Sequence, residues 1–123
     1  MGYCRIDHVA IEVADLDRSV AFYKAHFGFD IYADQTTPAG LRIGYLKLGD
    51  TVLELVGRKA PAIAGFHFCL ETDDFDGAVA ALIAAGVKVV TPAHPTAARE
   101  PREKGWRRVV FAGLDGEQIE LRG

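Results

Sequence analysis

Apolar and polar positions alternate from residue 6 to residue 13. Val9, Ile11 and Val13 share one parity, and His8, Ala10 and Glu12 share the other. A period of two predicts a half-buried strand. The period then lengthens. Leu16, Val20, Tyr23 and Phe27 recur at helical spacing. Asp15 or Asp17 stands where a cap would accept free backbone N–H groups, and Gly28 is a natural stop. Residues 29–33 read as a strand and Thr37-Pro38-Ala39-Gly40 as a turn. Residues 41–48 and 51–56 read as a hairpin across Gly49-Asp50.

The second half repeats the plan. Residues 65–72 alternate, with Phe66, Phe68 and Leu70 opposite His67. Asp74 or Asp76 caps a helix that carries Phe75, Val79, Leu82 and Ile83 on one side and ends at Gly86. Residues 87–91 read as a strand, and 106–112 with 118–122 as a hairpin through Leu114-Asp115-Gly116. At an offset of fifty-nine residues His8 meets His67, Glu12 meets Glu71, Asp15 meets Asp74 and Asp17 meets Asp76. Internal repetition of this kind fixes the architecture. The predicted fold class is α+β: two βαβββ modules in tandem, about 4–57 and 64–123, forming a curved mixed sheet with helices on its outer face. The segment 92–104, with Pro92, Pro95 and Pro101, is predicted as a loop longer than its counterpart at 34–40.

The final strand of each half also matches. Leu53-Glu54-Leu55 parallels Ile119-Glu120-Leu121. The aliphatic residues must face the helices, so each glutamate must face away from them, as His8 and His67 do. Taken singly, a histidine or glutamate on a strand is an ordinary satisfied side chain. Together, at equivalent places in two repeats, His8, Glu54, His67 and Glu120 make a donor set for one divalent ion in a cleft. Imidazole suits zinc, nickel, cobalt or iron, and carboxylate offsets the ion's charge. Glu12 and Glu71 lie four residues from the histidines, roughly 13 Å along a strand, and are expected at the cleft rim. Cys69 is expected to line the cleft. His26 should interact with last-turn carbonyls, and His94 should sit in a solvated loop. Arg107 and Arg108 are candidates to meet an anionic substrate.

Composition narrows the classes. The chain has 123 residues, half of them hydrophobic and a quarter charged, with a formal charge of -3. These values fit one compact domain over 1–123 and give no reason to expect a nucleic-acid or membrane partner. There is no apolar run of membrane length and no signal-peptide pattern. Two cysteines, Cys4 and Cys69, make no disulfide framework, so a reducing cytoplasm is expected. Open sheet edges predict a homodimer.

The repeated motifs resemble those of the vicinal oxygen chelate superfamily, which includes glyoxalase I, bleomycin-resistance proteins, methylmalonyl-CoA epimerase and extradiol dioxygenases. The resemblance rests on Asp7-His8-Val9-Ala10-Ile11-Glu12-Val13, Phe22-Tyr23-Lys24 before Phe27-Gly28-Phe29, and Gly49-Asp50-Thr51-Val52-Leu53-Glu54-Leu55. It also rests on Gly65-Phe66-His67-Phe68 and Asp115-Gly116-Glu117-Gln118-Ile119-Glu120-Leu121. It implies paired βαβββ modules around a metal, with His8, Glu54, His67 and Glu120 at the ligand positions. The filled set is closest to glyoxalase I and argues against the metal-free antibiotic-sequestering members. The implied activity is that of a divalent-metal lyase or isomerase, with nickel, cobalt or zinc. It would chelate two neighbouring substrate oxygens and move a carbon-bound proton through an enediolate. Glu120 is the expected base and Glu54 the second choice. Alternatives are a methylmalonyl-CoA-epimerase-like enzyme, or a small-molecule binding or resistance protein without turnover. Glyoxalase I places an arginine where this chain has Glu12, so the resemblance does not extend to a glutathione site.

Overall fold

The computed structural model describes residues 2, 5–65 and 67–123. Cys4 and the expected core residue Phe66 lie outside them. The chain divides into two compact units, 1–63 and 64–123. Each is a βαβββ module with its own four-stranded mixed sheet.

The first module runs β1 (Val9–Val13), α1 (Leu16–Phe27), β2 (Asp30–Thr36), β3 (Arg42–Leu48) and β4 (Thr51–Gly57). Its sheet order is β1-β4-β3-β2, with β1 parallel to β4 and the other pairs antiparallel. Ile11, Val13, Leu46, Leu53 and Leu55 are buried, as are Leu16 and Tyr23 of α1. Gly44 lets the helix approach, because a Cβ there would lie 3.3 Å from the Leu16 Cδ1 atom. The helix start is resolved in favour of Asp15, whose side chain accepts from the Arg18 N–H at 3.1 Å. Gly28 ends the helix at φ 74°, a backbone region that glycine enters without steric cost. Asp17 instead binds Arg42 through both guanidinium NH2 groups, at 3.0 and 3.1 Å.

The second module repeats this with β5 (His67–Glu71), α2 (Phe75–Ala84), β6 (Lys88–Pro95), β7 (Arg107–Ala112) and β8 (Gln118–Arg122), in sheet order β5-β8-β7-β6. Asp74 caps α2 by accepting from the Gly77 N–H at 3.0 Å. Asp76 binds Arg107 at 2.7 Å, the counterpart of Asp17 with Arg42. Even the irregularities coincide. The β2–β3 register shifts between Ile31 and Ala33, and the β6–β7 register between Val89 and Thr91. An extra residue on one strand bends it and increases its twist.

Three expectations need correction. The first strand begins at Val9, and His8 precedes it. The predicted loop 92–104 is shorter, because β6 continues to Pro95 and a 3₁₀ turn occupies Pro101–Glu103. Pro92 and Pro95 are tolerated because β6 is an edge strand, where a missing ladder N–H costs little. Ile83, placed in the buried stripe of α2, is 55% exposed, whereas Phe75 and Leu82 are buried. No helix among the described residues is long and apolar enough to cross a membrane.

Candidate metal centre

In the first module the register brings one predicted pair together. Ala10 lies opposite Glu54 in the parallel β1–β4 ladder, so His8, two residues earlier, is on the same face and one step diagonal to it. Nε2 of His8 is 2.7 Å from Oε2 of Glu54. The other ring nitrogen, Nδ1, is 3.0 Å from a carboxylate oxygen of Asp7. The Asp7 hydrogen bond raises the His8 pKa; partial desolvation opposes it and the Glu54 charge adds to it. Glu54 is buried although it faces away from α1. Tyr45, directly opposite Glu54 on β3, presents its ring edge-on to His8 at 6.3 Å. Tyr32, on the β2 bulge, follows at 6.2 Å from Tyr45. Desolvation and the Glu54 charge push the Tyr45 hydroxyl above its ordinary pKa.

In the second module Cys69 lies opposite Glu120 in the parallel β5–β8 ladder, and His67 again precedes that position by two residues. The backbone frame is therefore the same in both modules. The side-chain environment differs. The Glu120 carboxylate accepts from Arg108 Nε at 2.6 Å. Burial alone would raise the Glu120 carboxyl, but hydrogen bonds from Arg108 and Cys69 outweigh it and hold the group below the usual carboxylate value. Burial and the same Glu120 contact push the Cys69 thiol up to about 12. Among the described residues, no three His, Cys, Asp or Glu side chains are gathered within one group suited to a metal ion. Each module thus offers a pair by register, and in the first module His8 and Glu54 are in contact.

The remaining candidates are tied up locally. Glu12 accepts from Arg58 Nε at 3.0 Å and from the Ala62 N–H at 2.9 Å. Glu71 is held by Arg102 at 2.6 Å. Arg99 is bound to Glu103 and Arg107 to Asp76. His94 lies within β6, with Nδ1 2.9 Å from the Pro92 carbonyl oxygen. The His26 ring packs on Phe22 at 5.0 Å. Of the arginines considered for an anionic substrate, Arg108 is the one bonded to a predicted ligand. Sequence reasoning missed Asp7, Tyr45 and Arg122 on these faces. Parity could have found Tyr45, which alternates with Gly44 and Leu46.

Comparison with known proteins agrees with this architecture. Residues 5–121 match the Glyoxalase/Bleomycin resistance protein/Dioxygenase superfamily. Human mitochondrial methylmalonyl-CoA epimerase is 37% identical over 89 residues, 61% of this chain and 50% of that protein. The match thus spans about half the length of the human protein. Ethylmalonyl-CoA/methylmalonyl-CoA epimerase of Cereibacter sphaeroides is 33% identical over 105 residues, 74% of this chain and 78% of that one. Among solved structures, TnmS3, an antibiotic-binding protein from a Streptomyces species, is 30% identical. It superposes with a TM-score of 0.76 over 98% of this chain and 96% of that one.

Proposed function

Because the chain belongs to the Glyoxalase/Bleomycin resistance protein/Dioxygenase superfamily, we propose that it is a divalent-metal-dependent enzyme that moves a carbon-bound proton beside a carbonyl. The observation that carries this reading is the 2.7 Å contact of His8 with Glu54, in a register repeated for His67 and Glu120. These four residues would hold the ion. Two imidazoles and two carboxylates suit zinc, nickel or cobalt. His8 fits the role further, since its second ring nitrogen meets the Asp7 carboxylate, the partner that orients a ligating imidazole. The bound ion would supply Lewis acidity where negative charge develops on a substrate oxygen.

The chain's own groups would do the rest. Glu120 accepts the proton from the carbon, and Glu54, the second carboxylate, is the group available to deliver one. An acceptor on one face of the carbon and a donor on the other would invert its configuration. The Tyr45 ring stands edge-on beside His8 and next to Tyr32, giving the substrate an aromatic wall on that side. For the substrate, a thioester is preferred to a glutathione adduct. The two curated relatives are named as acyl-CoA epimerases, and Arg58 is already committed to Glu12.

Metal analysis and turnover test this reading. Purified protein should hold about one divalent ion per chain, and His67→Ala should lose most of it. The loaded protein should racemise a branched malonyl thioester. Efficient conversion of methylglyoxal with glutathione, without thioester turnover, would overturn the substrate choice. The likeness to TnmS3 favours a second reading, a binding protein without turnover. That reading predicts tight binding of a thioester analogue with no exchange of its carbon-bound proton.

A further inference from the structure

The two modules differ in charge beside their final strands. Val56 follows Glu54 by two residues and lies opposite Ile43 on the neighbouring strand. The equivalent places beside Glu120 hold Arg122 and Arg108, opposite each other across β7 and β8. An apolar pair in one copy is thus a pair of arginines in the other. Like charges facing each other across a ladder are destabilising unless something neutralises them.

The local carboxylates do this incompletely. Arg108 has Glu120, at 2.6 Å from its Nε. Arg122 is poorly served. Its Nη1 reaches Thr96 Oγ1 at 3.4 Å, and its Nη2 reaches the Ala97 carbonyl oxygen at 3.3 Å and Glu103 Oε2 at 3.4 Å. All three contacts are longer than ordinary hydrogen bonds. Glu103 is already engaged by Arg99 through its backbone and side-chain donors. Glu71, opposite Arg122 on β5, is held by Arg102. The Arg122 Nε is buried with no hydrogen-bond partner among the described residues. A buried donor left unpaired costs free energy that an incoming acceptor would recover.

We propose that Arg108 and Arg122 form an anion subsite for a carboxylate carried by the substrate. On binding, the loosely held Arg122 guanidinium turns so that its now-buried Nε–H meets a carboxylate oxygen, and the second oxygen draws Arg108 away from Glu120. Guanidinium forks match carboxylates geometrically, so one carboxylate can bridge both side chains. The exchange leaves charge balanced: a substrate carboxylate replaces Glu120 as the partner of Arg108, and Glu120 becomes free to ligate or accept a proton. This inference rests on the proposed function for the use made of Glu120, but the subsite itself needs no metal.

Titration of metal-free protein with malonate, followed through the ¹⁵N–¹H signals of the arginine Nε groups, tests it. Saturable shifts of the Arg108 and Arg122 signals are expected, with none from the neutral dimethyl ester. Arg122→Gln should weaken malonate binding at least about tenfold, and so should Arg108→Gln, whose side chain is more exposed and less needed for folding. Absence of saturable shifts in the wild-type protein, or equal affinity in folded Arg108→Gln, would overturn the proposal. Failure of thioester turnover with the subsite intact would count against the proposed function instead.

Discussion

Glu103 shows how a buried carboxylate is kept ionised. It is 1% exposed, yet Arg99 holds it through its backbone N–H and guanidinium, with bonds of 2.8 to 3.0 Å among them. These contacts, chiefly the Arg99 side-chain hydrogen bond, lower its pKa from 4.5 to about 2. A depressed folded-state pKa stabilises the fold fully above the unfolded value and loses that effect as pH falls through the folded one. The wild type should therefore lose stability from about pH 4.5 down to about 2. Glu103→Gln should be less stable at neutral pH, with a gap to wild type that narrows across this window in urea melts. Glu12→Gln should leave metal content unchanged and cost about 1 kcal/mol or less, because its bond to Arg58 is partly exposed. Residue types at strand parity exposed the four ligand candidates in the sequence. The arginine partners of Glu12, Glu71 and Glu120 were not legible, since they come from other strands and connections, and Arg99 pairs with Glu103 within a connection whose spacing carries no period.

At the level of elements, the alternation of residues 9–13 and the helical stripe of residues 16–27 determined what forms, and their margins depended on local chemistry. Both helices choose the first of two aspartates as cap, because only that position reaches the N–H three residues on. The second aspartate is freed to anchor β3 or β7 through Arg42 or Arg107. Asp15→Ala should cost about 1 kcal/mol, read as a lower midpoint in thermal melts. Asp17→Asn should cost less, since its ion pair is exposed. The β6 extension through two prolines escaped sequence reading because proline is permitted there only by the edge position, a property of the assembled sheet.

For the whole molecule, the internal repeat was the most informative sequence feature. It predicted two βαβββ modules, and the ladders reproduce it, including the bulges and the diagonal placement of each histidine and glutamate. Repetition could not show which residues pair where the copies differ, as at Ile43 and Val56 against Arg108 and Arg122. Each module leaves two edge strands in its own sheet, and a second copy of the chain is the expected cover. Equilibrium sedimentation should give a dimer mass, and a monomer at high concentration would contradict this. The proposed chemistry is metal-assisted transfer of a carbon-bound proton with Glu120 as acceptor. Its most direct measurement is NMR of a branched malonyl thioester in deuterated water with metal-loaded protein. Loss of the α-proton signal with wild type, with strong slowing in a Glu120→Gln variant that still binds the thioester, is predicted. A bound thioester whose α-proton persists with wild type, or exchange equally fast in Glu120→Gln, would contradict the account.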